Sequence, residues 1–329
     1  MNKIVALLGW GVKRRIDVLR MHLDRRWEAV LYGAGEEAEK ARSATAAIGM
    51  PDAIDWKNEM PGLRFLQIPG AGLDGVEVKN LPGGCIVCNV HEHEGSIAEY
   101  VFACLFHLNG GWIEHAQAEL RNGNWIFFDR IGEPCRPSIC GRKIGILGFG
   151  RIAQRCARIA LSLNMEVLVY TRTIASAASS TDPCGAIRFV SSVEELAMKA
   201  DYFLVACPLN ERTEGIVNAA LLEVMQSHTV VINVSRARVV DEHALFESLR
   251  SGRIGGAVID VWYRYPLSES EKITGSELPF HLLDNVLLTP HVSANTEDMV
   301  ERRWKCIANN LNRFLEGGPL INQVFVSNG

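Results

Sequence analysis

The segment Ile144-Gly145-Ile146-Leu147-Gly148-Phe149-Gly150-Arg151-Ile152-Ala153 sets G-x-G-x-x-A directly after an apolar run and at the start of a helical pattern. A turn of this kind cradles a pyrophosphate. Gly148 makes the tight turn, Gly150 lets the backbone approach the phosphates, and Ala153 permits close packing of helix on strand, while the helix N-terminus receives the negative charge. Gly148, Phe149, Gly150, Arg151 and Ile152 are therefore the expected dinucleotide contacts. The next apolar run ends in Tyr170-Thr171-Arg172-Thr173, where an NAD site ordinarily carries an acid for the ribose hydroxyls. No acid is present. Thr171 and Thr173 can donate hydrogen bonds and Arg172 brings a planar cation, so the expected cofactor is NADP in preference to NAD. The plainer role for Arg172 is stacking on adenine or lying in solvent.

These residues need strands to present them. From Lys143 onward, apolar runs at 144–147, 167–170, 202–206, 230–234, 257–261 and 286–289 alternate with helical patterns, which is enough for a doubly wound sheet. The first hundred residues alternate similarly, with runs at 4–8, 29–32, 65–68 and 85–90. A long helix is expected to open at Ser96, where Ser96-Ile97-Ala98-Glu99 reads as a capping box. The fold class expected is α/β with two doubly wound parallel-sheet domains. A Rossmann dinucleotide-binding domain (94–296) is inserted into a flavodoxin-like substrate domain (1–93 with 297–329).

Composition limits the partners. The 329 residues hold 34 basic and 38 acidic side chains, a net charge of −4, so no global basic field exists to hold a nucleic-acid backbone or an anionic membrane. No apolar stretch approaches the roughly 20 residues of a membrane span. The nine cysteines are an odd number and lie mostly in apolar runs, as free thiols do in a reducing compartment; the expected location is cytoplasmic. Cys85 and Cys88 form a CxxC that Cys135 and Cys140 could in principle complete as a zinc site, but the pair lies in a strand-like run whose side chains alternate faces. No metal is expected.

The chain resembles the D-isomer-specific 2-hydroxyacid dehydrogenases, in the glyoxylate and hydroxypyruvate reductase branch, over essentially its whole length. The matching pieces are Pro69-Gly70-Ala71-Gly72-Leu73-Asp74, the turn at Gly148–Ala153, Cys207-Pro208-Leu209-Asn210, the run Asn233-Val234-Ser235-Arg236-Ala237-Arg238, Ala257-Val258-Ile259-Asp260-Val261-Trp262 and Leu288-Thr289-Pro290-His291. The resemblance implies hydride transfer between NADP(H) and a small 2-oxo or 2-hydroxy acid. That chemistry needs an anion clamp, a cation on the carbonyl, a proton donor and an aimed hydride. Arg236 matches the bidentate arginine and His291 the proton donor. The backbone amides of Ala71 and Gly72 match the carboxylate loop, and Asp260 matches the carboxylate that orients the nicotinamide carboxamide. Cys207, Pro208 and Ser293 fall at cofactor-lining positions. A homodimer through the helices of 96–120 is also implied.

One position departs from the family. Relatives carry a glutamate five residues after the aspartate of this strand, where this chain has Tyr265. A phenol can still orient His291, but at neutral pH it brings no negative charge, so reduction is expected to strengthen toward acid. Formate dehydrogenases of the same superfamily also lack the acid, which leaves hydride transfer without a general acid as one alternative. A dinucleotide-sensing protein with weak or no catalysis is the other. Ala237 stands where relatives have glycine and should be tolerated at negative φ. His91-Glu92-His93-Glu94 falls on the loop bordering the substrate and suggests a polar or cationic substrate tail. Trp112, Trp125 and Trp262 are expected to be packing residues.

Overall fold

The structure is a computed structural model that describes residues 3–9, 12, 14–33, 36–50, 54–73, 80–109, 112–126, 138–172, 185–266, 268 and 270–327. Asp74, Cys135, Thr173 and Cys184 lie outside the described residues. The chain divides into two compact units, Met1–His93 with Asn295–Gly329, and Glu94–Ala294.

In the first unit β1 (Lys3–Leu7), α1 (Ile16–His22), β2 (Trp27–Leu31), α2 (Glu36–Arg42), β3 (Ala46–Ile48), α3 (Trp56–Glu59), β4 (Phe65–Gln67) and β5 (Ile86–Cys88) follow one another. The second unit runs from α4 (Glu94–Leu108) and α5 (Trp112–Arg121) through β6 (Lys143–Leu147), α6 (Arg151–Ser162), β7 (Glu166–Tyr170), β8 (Ile187–Phe189), α7 (Val193–Lys199) and β9 (Tyr202–Val205). It continues with α8 (Ala219–Val224), β10 (Val230–Asn233), α9 (Glu242–Arg250), β11 (Gly256–Ile259) and β12 (Val286–Leu288). The chain then returns to the first unit with α10 (Glu297–Glu316) and β13 (Gln323–Val326).

The first sheet has the order β13-β5-β4-β3-β1-β2, parallel except for the antiparallel β13 edge, which contains the flavodoxin-like arrangement. The second has the order β12-β11-β10-β9-β6-β7-β8 and is parallel throughout, a Rossmann order. Both faces of each sheet are covered, so its strands read as continuous apolar runs. Val5, Leu7 and Phe65 join one core with Trp304 and Ile307 of α10; their neighbours Ala6, Leu8 and Leu66 join the opposite core with Trp56 and Met60. In the second unit Ile144, Ile146, Val167 and Val169 pack under α4 and α6, while Leu168, Phe203 and Val205 pack under α7, α8 and α9.

Local chemistry fixes the helix starts. Ser192, Asn218 and Asp241 each accept the backbone N–H three residues on, opening α7, α8 and α9. The capping box at Ser96 is a correction: α4 begins two residues earlier, at Glu94, and Ser96 is a buried residue within the first turn. Cys85 and Cys88 sit in the two opposite cores of the first unit, each with its thiol pushed up to about 12 by burial, and so cannot grip one ion together. Trp125 also departs from expectation, being 70% exposed. Among the described residues, no helix is long and apolar enough to cross a membrane.

Candidate active site

The phosphate-type turn joins β6 to α6. Gly148 has φ +95°, and a Cβ there would lie 2.9 Å from the Cα and N of Cys207, so both conformation and space require glycine. Gly150 is the N-cap of α6; a Cβ on it would meet nothing within 4 Å. The first turn of this 12-residue helix has neither a side-chain cap nor an acidic residue, which suits a pyrophosphate at its free amides. Phe149 turns its ring into the core, edge-on to Phe189 at 5.5 Å, so only its backbone is available to a ligand. Ile152 packs partly buried on the same core. Arg151 points outward to Glu94, 3.5 Å away.

At the end of β7, Thr171 is half-buried and Arg172 exposed. The Arg172 guanidinium acts electrostatically on Cys207, partly opposing the burial that lifts this thiol to about 11. Cys207 is buried and Pro208 exposed; the Pro208 carbonyl accepts the Thr213 hydroxyl at 2.6 Å, which fixes this turn.

Arg236 follows β10 on a turn clamped by the buried Asn233. The Asn233 Oδ1 accepts the Ser235 N–H at 3.1 Å, and its Nδ2 donates to the Arg236 carbonyl at 3.0 Å. Arg236 is half-buried, and one of its nitrogens donates to the Ser235 carbonyl at 2.8 Å. Ala237 lies in a 3-10 turn, outside the non-glycine positions with positive φ, so the missing glycine carries no strain.

His291 itself has φ +57°, a left-handed conformation that only a few per cent of non-glycine residues adopt, histidine more readily than most. The strain is held by Asp260, which is completely buried. Its Oδ1 accepts the Thr289 hydroxyl at 2.6 Å and the Val292 N–H at 2.8 Å, and its Oδ2 accepts the Ser293 N–H at 3.0 Å. Three of about four acceptor positions on this carboxylate are thus spent on the loop that carries His291. Tyr100 extends the chain: since Thr289 donates to Asp260, the Tyr100 hydroxyl donates to Thr289 Oγ1, at 2.6 Å. The Trp262 indole donates to the Thr289 carbonyl at 2.8 Å. Motif reading alone left Thr289 and Tyr100 without a role; Thr289 lies inside the quoted Leu288–His291 run, and Tyr100 gave no signal.

Tyr265 takes the place of the missing glutamate. Its Oη lies 2.8 Å from His291 Nδ1 and accepts the Trp262 N–H at 3.2 Å. The contact fixes the plane of the imidazole through Nδ1 and leaves Nε2 as the ring nitrogen free of the phenol; when the ring is protonated, Nδ1–H donates to the Tyr265 oxygen. Burial of the hydroxyl end raises the Tyr265 pKa, and the nearby Arg236 cation counters in part. Tyr265 and His291 therefore meet in the second unit, with the Arg236 cation acting electrostatically on the phenol.

Ala71 and Gly72 belong to the first unit and follow β4. The Gly70 carbonyl accepts the Val90 N–H and the Ala71 carbonyl accepts the Asn89 side-chain amide at 2.9 Å, which ties this turn to the chain at 89–90. At the 91–94 loop, Glu92 lies 3.8 Å from Arg302 and Glu94 3.5 Å from Arg151. Among the described residues, no cluster of three or more His, Cys, Asp or Glu side chains is placed to hold a metal.

Comparison with known proteins bears on this geometry. Residues 105–293 match the family described as D-isomer specific 2-hydroxyacid dehydrogenase, NAD binding domain. Glyoxylate/hydroxypyruvate reductase A HPR2 of Arabidopsis thaliana is 32% identical over 316 residues, covering 95% of this chain and 94% of that protein. Glyoxylate reductase of Pyrococcus furiosus is 31% identical over 290 residues, covering 85% and 82%. The crystallographic fold of a 2-hydroxyacid dehydrogenase from Ketogulonicigenium vulgare Y25 superposes with a TM-score of 0.79 at 23% identity, covering 99% of this chain and all of that one.

Proposed function

Because the chain belongs to the D-isomer-specific 2-hydroxyacid dehydrogenases, a family of NAD(P)-dependent oxidoreductases, we propose that it reduces a small 2-oxo acid to the D-2-hydroxy acid with NADPH. The observation that carries this reading is the imidazole of His291, set on a left-handed turn anchored by buried Asp260 and held at Nδ1 by Tyr265. Strain of this kind costs about 1–3 kcal/mol and persists where a function depends on the geometry.

Each group then has a task. Arg236 bridges the carbonyl and carboxylate oxygens of the substrate, and the amides of Ala71 and Gly72 take the carboxylate. His291 delivers a proton from Nε2 to the oxygen that becomes the alkoxide. Tyr265 is a positioning residue that fixes the imidazole plane. The dinucleotide, when bound, supplies the hydride. Gly148 to Ile152 would hold its pyrophosphate, Thr171, Arg172 and Thr173 the 2′-phosphate, and Cys207, Pro208 and Ser293 the remaining walls. Asp260 works chiefly through the His291 loop, with its fourth acceptor position left for the nicotinamide carboxamide.

The dimer belongs to the same proposal. No described residue of α5 is buried, and Phe106, Ile113, Leu120 and Trp125 are all exposed by 46% or more. An amphipathic helix whose described apolar side chains Ile113 and Leu120 face solvent suits a second surface, and a second copy meeting it across a two-fold axis is the simplest closed solution.

The test is a screen of glyoxylate, hydroxypyruvate, pyruvate and longer 2-oxo acids with NADPH and NADH in parallel. Turnover with NADPH preferred is the expected result. Dinucleotide binding without turnover of any 2-oxo acid would favour a sensor, and oxidation of formate would favour the chemistry without a general acid.

A further inference from the structure

Trp262, just past the end of β11, has two N–H groups, and each serves one half of the contact at His291. Its backbone N–H donates to the Tyr265 oxygen at 3.2 Å, and its indole N–H donates to the Thr289 carbonyl at 2.8 Å. The same carbonyl accepts the His291 N–H at 3.0 Å. Tyr265 and His291 meet at 2.8 Å, so a single residue is bonded both to the phenol and to the turn that carries the imidazole. Trp262 also packs, partly buried, on one core of the second unit. Any large apolar ring could do that; the indole N–H adds a direction that packing alone lacks.

The indole is in turn held by a glycine from further along the chain. Between β11 and β12 the chain makes an excursion whose neck is closed by the Arg264 N–H, which donates to the Gly275 carbonyl at 2.9 Å. Gly275 has φ +77°, and a Cβ on it would lie 2.7 Å from Cγ of Trp262 and closer still to Cδ2 and Cε3. The Gly275 backbone therefore presses on the indole face, and any side chain at this position would displace the ring. Both arms of the neck are anchored. The Tyr263 hydroxyl donates to the Val240 carbonyl at 2.9 Å, the Leu278 N–H donates to Ser276 Oγ at 2.9 Å, and Arg264 pairs with Glu277 at 3.0 Å. Tyr265 is the residue that follows Arg264, so the neck that clamps the indole also sets where the phenol begins.

We propose that Trp262, clamped by Gly275, is a positioning residue for the proton donor. Its indole N–H fixes the turn of His291, its backbone N–H fixes the Tyr265 oxygen, and the imidazole plane is set from both sides. Trp262 acts through His291 and Tyr265, not on the substrate. Without the indole N–H, the turn at 289–291 keeps its bonds to Asp260 but can pivot about them, and the ring drifts from the phenol. The consequence for turnover rests on the reductase reading above; the consequence for the His291 ring does not.

Two measurements separate these. The first needs no turnover: ring nitrogen signals of the full chain labelled with 15N-histidine, with the His291 signals identified by their loss in His291→Gln and Tyr265→Phe as the reference for a ring released from the phenol. Trp262→Phe, which keeps an aromatic ring but loses the indole N–H, and Gly275→Ala, which displaces the indole and its neck, should each move the His291 signals toward that reference. The signals of His22 and His115 should stay in place. The second compares kinetic constants with NADPH. In both variants kcat should fall at least about tenfold while KM for the 2-oxo acid changes less than about twofold, because a misplaced donor slows the chemistry without removing a substrate contact. Packing alone predicts otherwise: a lower urea midpoint, with His291 signals and kcat of the folded protein as in the wild type. That result, with 2-oxo acids reduced, overturns the positioning role and leaves the reductase reading intact. If the wild type reduces no 2-oxo acid but both variants move the His291 signals, the positioning role stands and the reductase reading fails. Circular dichroism identifies loss of fold, and Gly275→Ala, which retains the indole, keeps the test open if Trp262→Phe unfolds.

Discussion

Oη of Tyr265 lies 2.8 Å from Nδ1 of His291 while accepting the Trp262 amide at 3.2 Å. The phenol orients the imidazole but supplies no charge to favour its cation, in contrast to a carboxylate at the same place.

The first prediction concerns pH. Reduction consumes a proton, so it is supported by the protonated imidazole and lost as that proton leaves. The kcat/KM for reduction should fall with rising pH inside the window of about pH 5–8 where histidine changes charge. In Tyr265→Glu the fall should move to higher pH. Since burial raises the Tyr265 pKa above the ordinary phenol value, no second ionisation from this residue should appear below about pH 10. Superimposable wild-type and Tyr265→Glu profiles would contradict this role.

The second concerns the anchor beneath His291. Asp260→Ala strands the Val292 and Ser293 amides, and each buried donor left unmet costs roughly 1–3 kcal/mol. Urea unfolding should show a loss of about 2–6 kcal/mol on that basis, and kcat should fall about 10²-fold as the imidazole leaves its place. Thr289→Val removes one hydroxyl donor and should lower stability by about 1 kcal/mol, with a smaller loss of kcat. A Thr289→Val enzyme with wild-type kcat would show that this bond does not position His291.

A third prediction addresses the dinucleotide. Arg172→Ala should lower kcat/KM with NADPH by about tenfold, the worth of roughly 1.4 kcal/mol for one charge-assisted contact, with little change for NADH. An unaltered NADPH to NADH ratio would remove Arg172 from 2′-phosphate recognition.

The fourth concerns assembly. Sedimentation of the wild-type protein should give twice the chain mass, and Ile113→Asp with Leu120→Lys should give one chain mass, because both side chains are exposed apolar groups on α5. A wild-type monomer at micromolar concentration would contradict the proposed interface.

What could be read from sequence followed from how the strands are buried. Runs such as Phe203–Val205 or Ala257–Ile259 are apolar on both faces and stand out without any structure. Strand β3 did not, because two of its three residues are alanines, nor did β8, where exposed Arg188 interrupts the apolar run, nor β13, whose residues are half-exposed at an edge. The turn at Gly148 was legible because the chemistry of a pyrophosphate dictates its residues in order. The support of His291 was not: Tyr100 and Thr289 are 189 residues apart, and only the packing of α4 against the second sheet brings them together.

Direct hydride delivery to a 2-oxo acid at Arg236 and His291 is tested most directly by following deuterium. With NADPH carrying deuterium at the transferable C4 position, the product from a reduced 2-oxo acid should be the D-2-hydroxy acid with one deuterium at C2, and Arg236→Gln should abolish its formation while leaving dinucleotide binding intact. Absence of any deuterated hydroxy acid across the panel, with NADPH still bound, would contradict the account.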